Sequence, residues 1–323
     1  MRITVLGAGV AGLTVATALA ERGASVTLIE RSGELGGGAS WLAGGMLAPF
    51  CEGESAPASV VRLGQGAIDW WAARVPGVKR EGTLVIAPPR DAGEIDRFAA
   101  RTKSHERLDE AGVAELEPDL AGRFRKGLFF AGEGHLDPRV ALSALLEALR
   151  ARGAEIRFGQ NGAKLRGDEG AVVDCRGFAA RAELRDLRGV RGEMMRVRTR
   201  EVTLTRPVRF LHPRLSLYVV PRANDTFMIG ATMIESGEKG AVSVRSALEL
   251  MNAAYALHPA FGEAEIVEMS AGVRPAFPDN EPRIEEHEGR LFVNGLYRHG
   301  FLLSPAFAER AAAIALERAE AVE

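Results

Sequence analysis

Apolar runs broken by glycine organise the first thirty residues. "RITVL" (2–6) is continuous and short, Ala11, Val15, Ala18 and Leu19 recur at helical spacing, Gly23 closes that segment, and "VTLI" (26–29) is a second short run. Continuous apolar runs of this length suit strands buried on both faces, and the three-to-four spacing suits a helix laid across them. The pattern predicts a βαβ unit over residues 2–30. Helices follow at 59–74 and 91–102, with a short strand at 83–87 and a charged, irregular stretch over 103–126. In "HLDPRVALSALLEALRARGAEIRF", Asp137 is placed to cap a helix that begins at Pro138. Val140, Leu142, Leu145, Leu146 and Leu149 mark its apolar side, Gly153 ends it, and strands follow at 154–158 and 171–175.

The period then changes. "EMMRVRT", "SLYVVPR" and "TFMIGAT" are strand-like, and Ala223-Asn224-Asp225 joins the last two as a hairpin. A helix is expected at about 243–257, a strand at "RLFVNG", and a terminal helix capped by Ser304 with Pro305 at its first position. The order predicts an α/β chain of two interwoven domains. Residues 1–49, 133–192 and 268–323 would build a nucleotide-type domain, and 50–132 with 193–267 a second, sheet-based one.

A length of 323 residues fits two domains at roughly 150 residues each. A formal charge of −2 offers no basic excess for nucleic acid or an anionic membrane, so neither is expected as a partner. No apolar run approaches the roughly 20 residues needed to cross a bilayer. The first residues lack the basic start, apolar stretch and cleavage site of a secretion signal, and the two cysteines, Cys51 and Cys175, have no disulfide or zinc spacing. A reducing cytoplasm is the expected location. Arginine outnumbers lysine 36 to 5, a composition habit, so each arginine needs context before it is given a role. The histidines show no metal spacing, and His105, His135, His212, His258 and His287 read as surface or turn residues.

Gly7, Gly9 and Gly12 form G-x-G-x-x-G between the first strand and helix. The first glycine makes the turn, the second lets backbone approach a pyrophosphate, and the third lets helix pack on strand. Glu30 lies 18 residues beyond Gly12, near the offset of an acid that accepts ribose hydroxyls. Both NAD and FAD satisfy this much. "GGGASWLAGGMLAP" (36–49) then places a second glycine cluster soon after the acid, which implies a second close approach of the cofactor. Trp41, Leu42, Met46 and Leu47 within it would be costly to leave in water.

Taken with "RGVRGEMMRV" (188–197), "LYVVPRANDTFMIGATM" (217–233), "AGVRPAFPDNEPRI" (271–284) and "NGLYRHGFLLSP" (294–305), the chain resembles the D-amino acid oxidase-like FAD flavoenzymes, and within them the glycine oxidases of thiamine biosynthesis. The resemblance implies a Rossmann-type FAD-binding domain interleaved with an antiparallel-sheet substrate domain. It implies noncovalent FAD, since neither cysteine lies in a flavin-attachment motif. Gly7, Gly9, Val10, Ala11 and Gly12 would form the dinucleotide turn, Glu30 and Arg31 would meet the adenosine ribose, and Gly38, Ala39 and Ser40 the diphosphate. Ala43, Gly44, Gly45 and Met46 would lie beside the isoalloxazine, and backbone near Gly162 or Ala163 would contact adenine. His299, Gly300, Phe301, Leu302 and Leu303, after Arg298, would meet the pyrimidine end.

For the substrate, Arg274 matches the family's carboxylate-binding arginine, a role suited to a planar guanidinium that can hold both oxygens. Tyr218 would assist that carboxylate, Met233 would form a pocket wall, and Arg298 would sit at the flavin edge. Leu296, His299 and Glu193 depart from the family's usual residues and bear on substrate preference. The implied activity is oxidation of a small amino acid, glycine first, to its imine, with oxygen as acceptor and hydrogen peroxide as product. A D-amino acid oxidase, a dehydrogenase using another acceptor and a non-catalytic flavoprotein are the alternatives. A homo-oligomer is left open.

Overall fold

A computed structural model describes residues 1–165 and 171–320. β1 (Arg2–Leu6), α1 (Val10–Glu21) and β2 (Ser25–Glu30) form the βαβ unit where the apolar pattern predicts it. β1 pairs with β2 in parallel, and Ile3, Val5, Leu13 and Leu28 are fully buried between sheet and helix. Gly12 permits that contact: a Cβ there would lie 1.7 Å from the Gly7 carbonyl oxygen.

The six-stranded sheet runs Arg283–His287, Arg290–Asn294, Ala171–Asp174, β1, β2, Glu155–Phe158. All its neighbours are parallel except the edge pair Arg283–His287 and Arg290–Asn294. α1 packs against the helices Pro138–Ala151 and Gly300–Glu320, and their apolar faces fill the larger core. In Pro138–Ala151 the Asp137 side chain caps by accepting from the Arg139 N–H at 2.9 Å. Val140 does not join the apolar side. It is 47% exposed, because two residues before Leu142 turn a side chain about 200° round the helix.

The terminal helix also corrects the sequence reading. It starts at Gly300, a full turn earlier than expected, so Ser304 is a buried interior residue and Pro305 lies inside the helix. An interior proline frees the carbonyl four residues back. Here that carbonyl belongs to Phe301, and it accepts the Trp71 indole N–H at 2.8 Å. The helix expected at 59–74 is two, Ala58–Gly64 and Ala67–Ala72, parted where Gly64 and Gly66 lower helix propensity. The stretch 103–126 is more regular than expected: it contains the strand Glu106–Asp109 and the helix Glu110–Leu116, which Asp109 caps.

The second sheet has nine strands. Arg188–Arg198 pairs along one edge with Glu265–Ala276 and along the other with Thr226–Gly230 and then Ile234–Glu235. Leu217–Pro221 and Thr226–Gly230 form the expected hairpin, its turn made by Asn224 and Asp225 at positive φ. The sheet is antiparallel apart from one parallel junction, Val208–Phe210 beside Thr83–Ile86, so it is mixed. Residues 188–192 and 268–276 pair inside this second sheet, across the boundaries drawn from sequence at 192 and 268. Among the described residues no helix is long and apolar enough to cross a membrane.

Candidate active site

A cavity of about 800 Å³ lies between the two sheets. The fold brings together on its wall all the site residues expected from sequence except Gly12 and Leu303. Gly12 is occupied in the helix–strand contact, and Leu303 is fully buried in the core.

At one end, the β1–α1 turn and the tip of β2 meet. Glu30 accepts from the Ala8 N–H at 2.8 Å and from the Ser32 N–H at 2.9 Å, which fixes its carboxylate at the cavity edge. Ser40 accepts from the Val10 N–H at 3.0 Å, at the positive end of α1. Ala163 has its N–H bound to Asn161 and its carbonyl to Arg290.

The second glycine cluster divides by purpose. A Cβ at Gly37 would meet Ser32 Oγ at 2.2 Å, one at Gly45 (φ +67°) would meet the Leu136 carbonyl at 2.2 Å, and Gly36 (φ +117°) sits against the Trp41 ring. These three make room for the protein's own atoms. Gly38 and Gly44 line the cavity, and a Cβ there would meet no protein atom closer than 3.6 Å. Two arginines hold this loop by its carbonyls: Arg222 donates to Gly44 O at 2.6 Å, and Arg139, bidentate to Glu268, donates to Trp41 O at 3.2 Å.

At the other end, the Arg274 guanidinium lies across Gly192, where a Cβ would come within 2.0 Å of it. Arg274 donates to the Thr232 carbonyl at 3.1 Å, and among the described residues no carboxylate lies within ion-pair distance of it. Burial, with Arg298 nearby, lowers its pKa to about 10, so it stays charged at neutral pH.

The family assignment follows from comparison with known proteins. Residues 2–314 match the FAD dependent oxidoreductase family, DAO. The chain belongs to this family. A Rhizobium etli protein that carries the name of a thiamine biosynthesis oxidoreductase, ThiO, by assignment is 59% identical over 95% of this chain and 94% of its own length. A glycine oxidase of Pseudomonas aeruginosa is 29% identical over 94% of this chain and 92% of its own. The crystal structure of glycine oxidase from Geobacillus kaustophilus superposes with a TM-score of 0.83 at 25% identity, covering 98% of this chain and 95% of that one.

The site of this FAD-dependent oxidoreductase fits its cofactor. Gly44, where a Cβ would meet nothing closer than 3.6 Å, would let a flat ring approach backbone, the open face of Gly38 and the α1 N-terminus suit a diphosphate, and the fixed Glu30 carboxylate suits ribose hydroxyls.

Sequence reasoning missed Glu52 and Arg209. Glu52 closes the short helix α2 (Pro49–Glu52) and is buried on the cavity wall. It accepts from the Tyr218 hydroxyl at 2.7 Å and from Arg298 at 3.0 Å, with Arg209 at 3.4 Å and His299 at 3.6 Å. Burial opposes its charge, but Arg298, Arg209, His299 and the Tyr218 hydroxyl together outweigh that and hold its pKa at about 2. The one available signal was an acid ending the apolar run "LAPFC". Its arginine partners come from remote strands and loops, so sequence spacing could not supply them.

This network changes how two expected residues stand. The only hydroxyl proton of Tyr218 goes to Glu52 while its oxygen accepts from Arg209 at 2.9 Å, so it has no spare donor for a substrate carboxylate in this geometry. Arg298 is paired with Glu52 and also reaches the Met233 sulfur at 3.4 Å; Met233 itself is 56% exposed. Burial lowers the His299 pKa to about 4, leaving a neutral ring. His135 is a correction, since it is buried and burial pushes its pKa down to about 3. Glu193 points away from the cavity that its neighbours Gly192 and Met194 line, and it pairs with Arg191 at 2.6 Å.

Proposed function

We propose that this chain oxidises the amine of a small amino acid, glycine first, to its imine, that oxygen takes up the electrons to give hydrogen peroxide, and that the product feeds the thiazole branch of thiamine biosynthesis. The observation that carries this reading is Arg274, a cavity-wall cation with no carboxylate partner among the described residues. A substrate carboxylate would supply the missing charge and both acceptor oxygens. The likeness to ThiO of Rhizobium etli and to glycine oxidases supports the choice of substrate.

Bound FAD supplies the hydride acceptor, and the protein's part is placement. Arg274 anchors the carboxylate and so directs the α-carbon into the cavity. Glu52 holds Tyr218 and Arg298 in fixed positions around it. With its pKa at about 2 and both its oxygens engaged, Glu52 is a poor proton acceptor, and in this reading the ammonium group gives its proton to solvent before the neutral amine reacts.

Anaerobic addition of glycine, sarcosine and D-alanine to the yellow holoenzyme tests the reading. Glycine should bleach the flavin fastest, and readmitted air should restore the colour and release peroxide. In Arg274→Met the catalytic efficiency for glycine should fall more than about a hundredfold, with a raised KM. An unchanged KM in that variant would overturn the carboxylate assignment.

A further inference from the structure

Residues 236–241 follow the strand Ile234–Glu235 as a loop without helix or strand, and they bring Lys239 to the cavity wall at the end where Glu30 and Arg31 lie. The loop is tightly built. Ser236 donates its N–H to Gly189 O at 3.1 Å, and Gly237 rests on the Phe178 ring so closely that a Cβ would come within 2.8 Å. The buried Arg191 guanidinium donates to three loop carbonyls, Glu238 at 3.0 Å, Gly240 at 3.1 Å and Ala241 at 2.6 Å, with its remaining charge balanced by Glu193. Glu193, a departure from the family's usual residue, thus acts on this loop.

The charges of Arg31, on the same cavity wall, and of Arg181, outside it, act on Lys239, with Glu30 opposing them. Burial and these two arginines push its ammonium below its ordinary value. Among the described residues, neither Lys239, Arg31 nor Arg181 has a carboxylate within ion-pair distance. Converging cations repel one another until an anion arrives, and the neighbouring α1 N-terminus also favours one.

We propose that Lys239 retains the cofactor: held over the cavity by the Arg191–Glu193 pair, it supplies from the second sheet's loop a cation to the phosphate on the adenosine side of bound FAD, beside Glu30 and Arg31. The nucleotide end is then gripped from both sheets, by the β1–α1 turn on one side and this loop on the other.

Serial dilution of holoenzyme, with released FAD read by its fluorescence, gives the dissociation constant without reference to turnover. The result is therefore independent of the substrate reading. Lys239 is exposed enough for Lys239→Gln to fold normally, which circular dichroism checks. Lys239→Gln should bind FAD about tenfold more weakly at 50 mM salt, converge toward the unmodified protein at 500 mM, and be rescued by Lys239→Arg. A dissociation constant within twofold of the unmodified protein at low salt would overturn the proposal, as would a loss that salt does not alter.

Discussion

The hydroxyl of Tyr218 donates to the Glu52 carboxylate at 2.7 Å, and the two residues are 166 positions apart in the chain. Through this contact α2 and the strand Leu217–Pro221 form one wall of the cavity, with Arg209 and Arg298 bound to the same carboxylate. Breaking the carboxylate out of this network should cost more than trimming its hydroxyl partner. Glu52→Leu leaves Arg298 without a carboxylate and Arg209 with only Glu54 at 3.5 Å, and should lose about 3–5 kcal/mol in urea unfolding, whereas Tyr218→Phe should lose only about 1–3 kcal/mol.

Glu133 is fully buried and accepts from the Cys51 N–H at 2.7 Å, inside α2. Burial pushes its pKa up from 4.5 to about 8. Between those values the folded chain holds a proton that the unfolded chain releases, so the group's contribution to stability falls as pH rises from about 4.5 to about 8. Glu133→Gln keeps an acceptor for Cys51 without the ionisation. Melting curves from pH 5 to 9 should show the unmodified protein losing more stability than the variant; parallel curves would contradict the burial argument.

Gly12 and Gly38 should respond differently to alanine. Gly12→Ala drives a Cβ into the Gly7 carbonyl and should abolish soluble expression or lower the melting temperature sharply. Gly38→Ala meets no protein atom within 4 Å, so the apoprotein should melt normally while FAD affinity falls. Calorimetry of the apoprotein and flavin titration separate the two outcomes.

Trp71→Phe keeps an aromatic ring in the core but leaves the Phe301 carbonyl without its donor. A buried unpaired acceptor costs about 1–3 kcal/mol. Because Phe301 and Leu302 also line the cavity, FAD affinity should fall with stability. Denaturant unfolding and flavin titration on the same preparation check both.

The βαβ unit, the glycine turn, Glu30 and the helix cap at Asp137 were legible in the sequence because each rests on contacts within a few dozen residues: a spacing, a cap or a turn carries its own local signal. Arg274 was legible only through the resemblance of "AGVRP" to a family motif; its lack of a carboxylate partner became visible only when Thr232 and Gly192 were brought against it. The start of the terminal helix was misread because the hydrogen bond that offsets Pro305 comes from Trp71, over two hundred residues away. Glu52, Arg209 and the loop bearing Lys239 were decided by tertiary structure alone. A buried charge is stable only beside its partners, and the strands that deliver those partners are adjacent in space and remote along the chain.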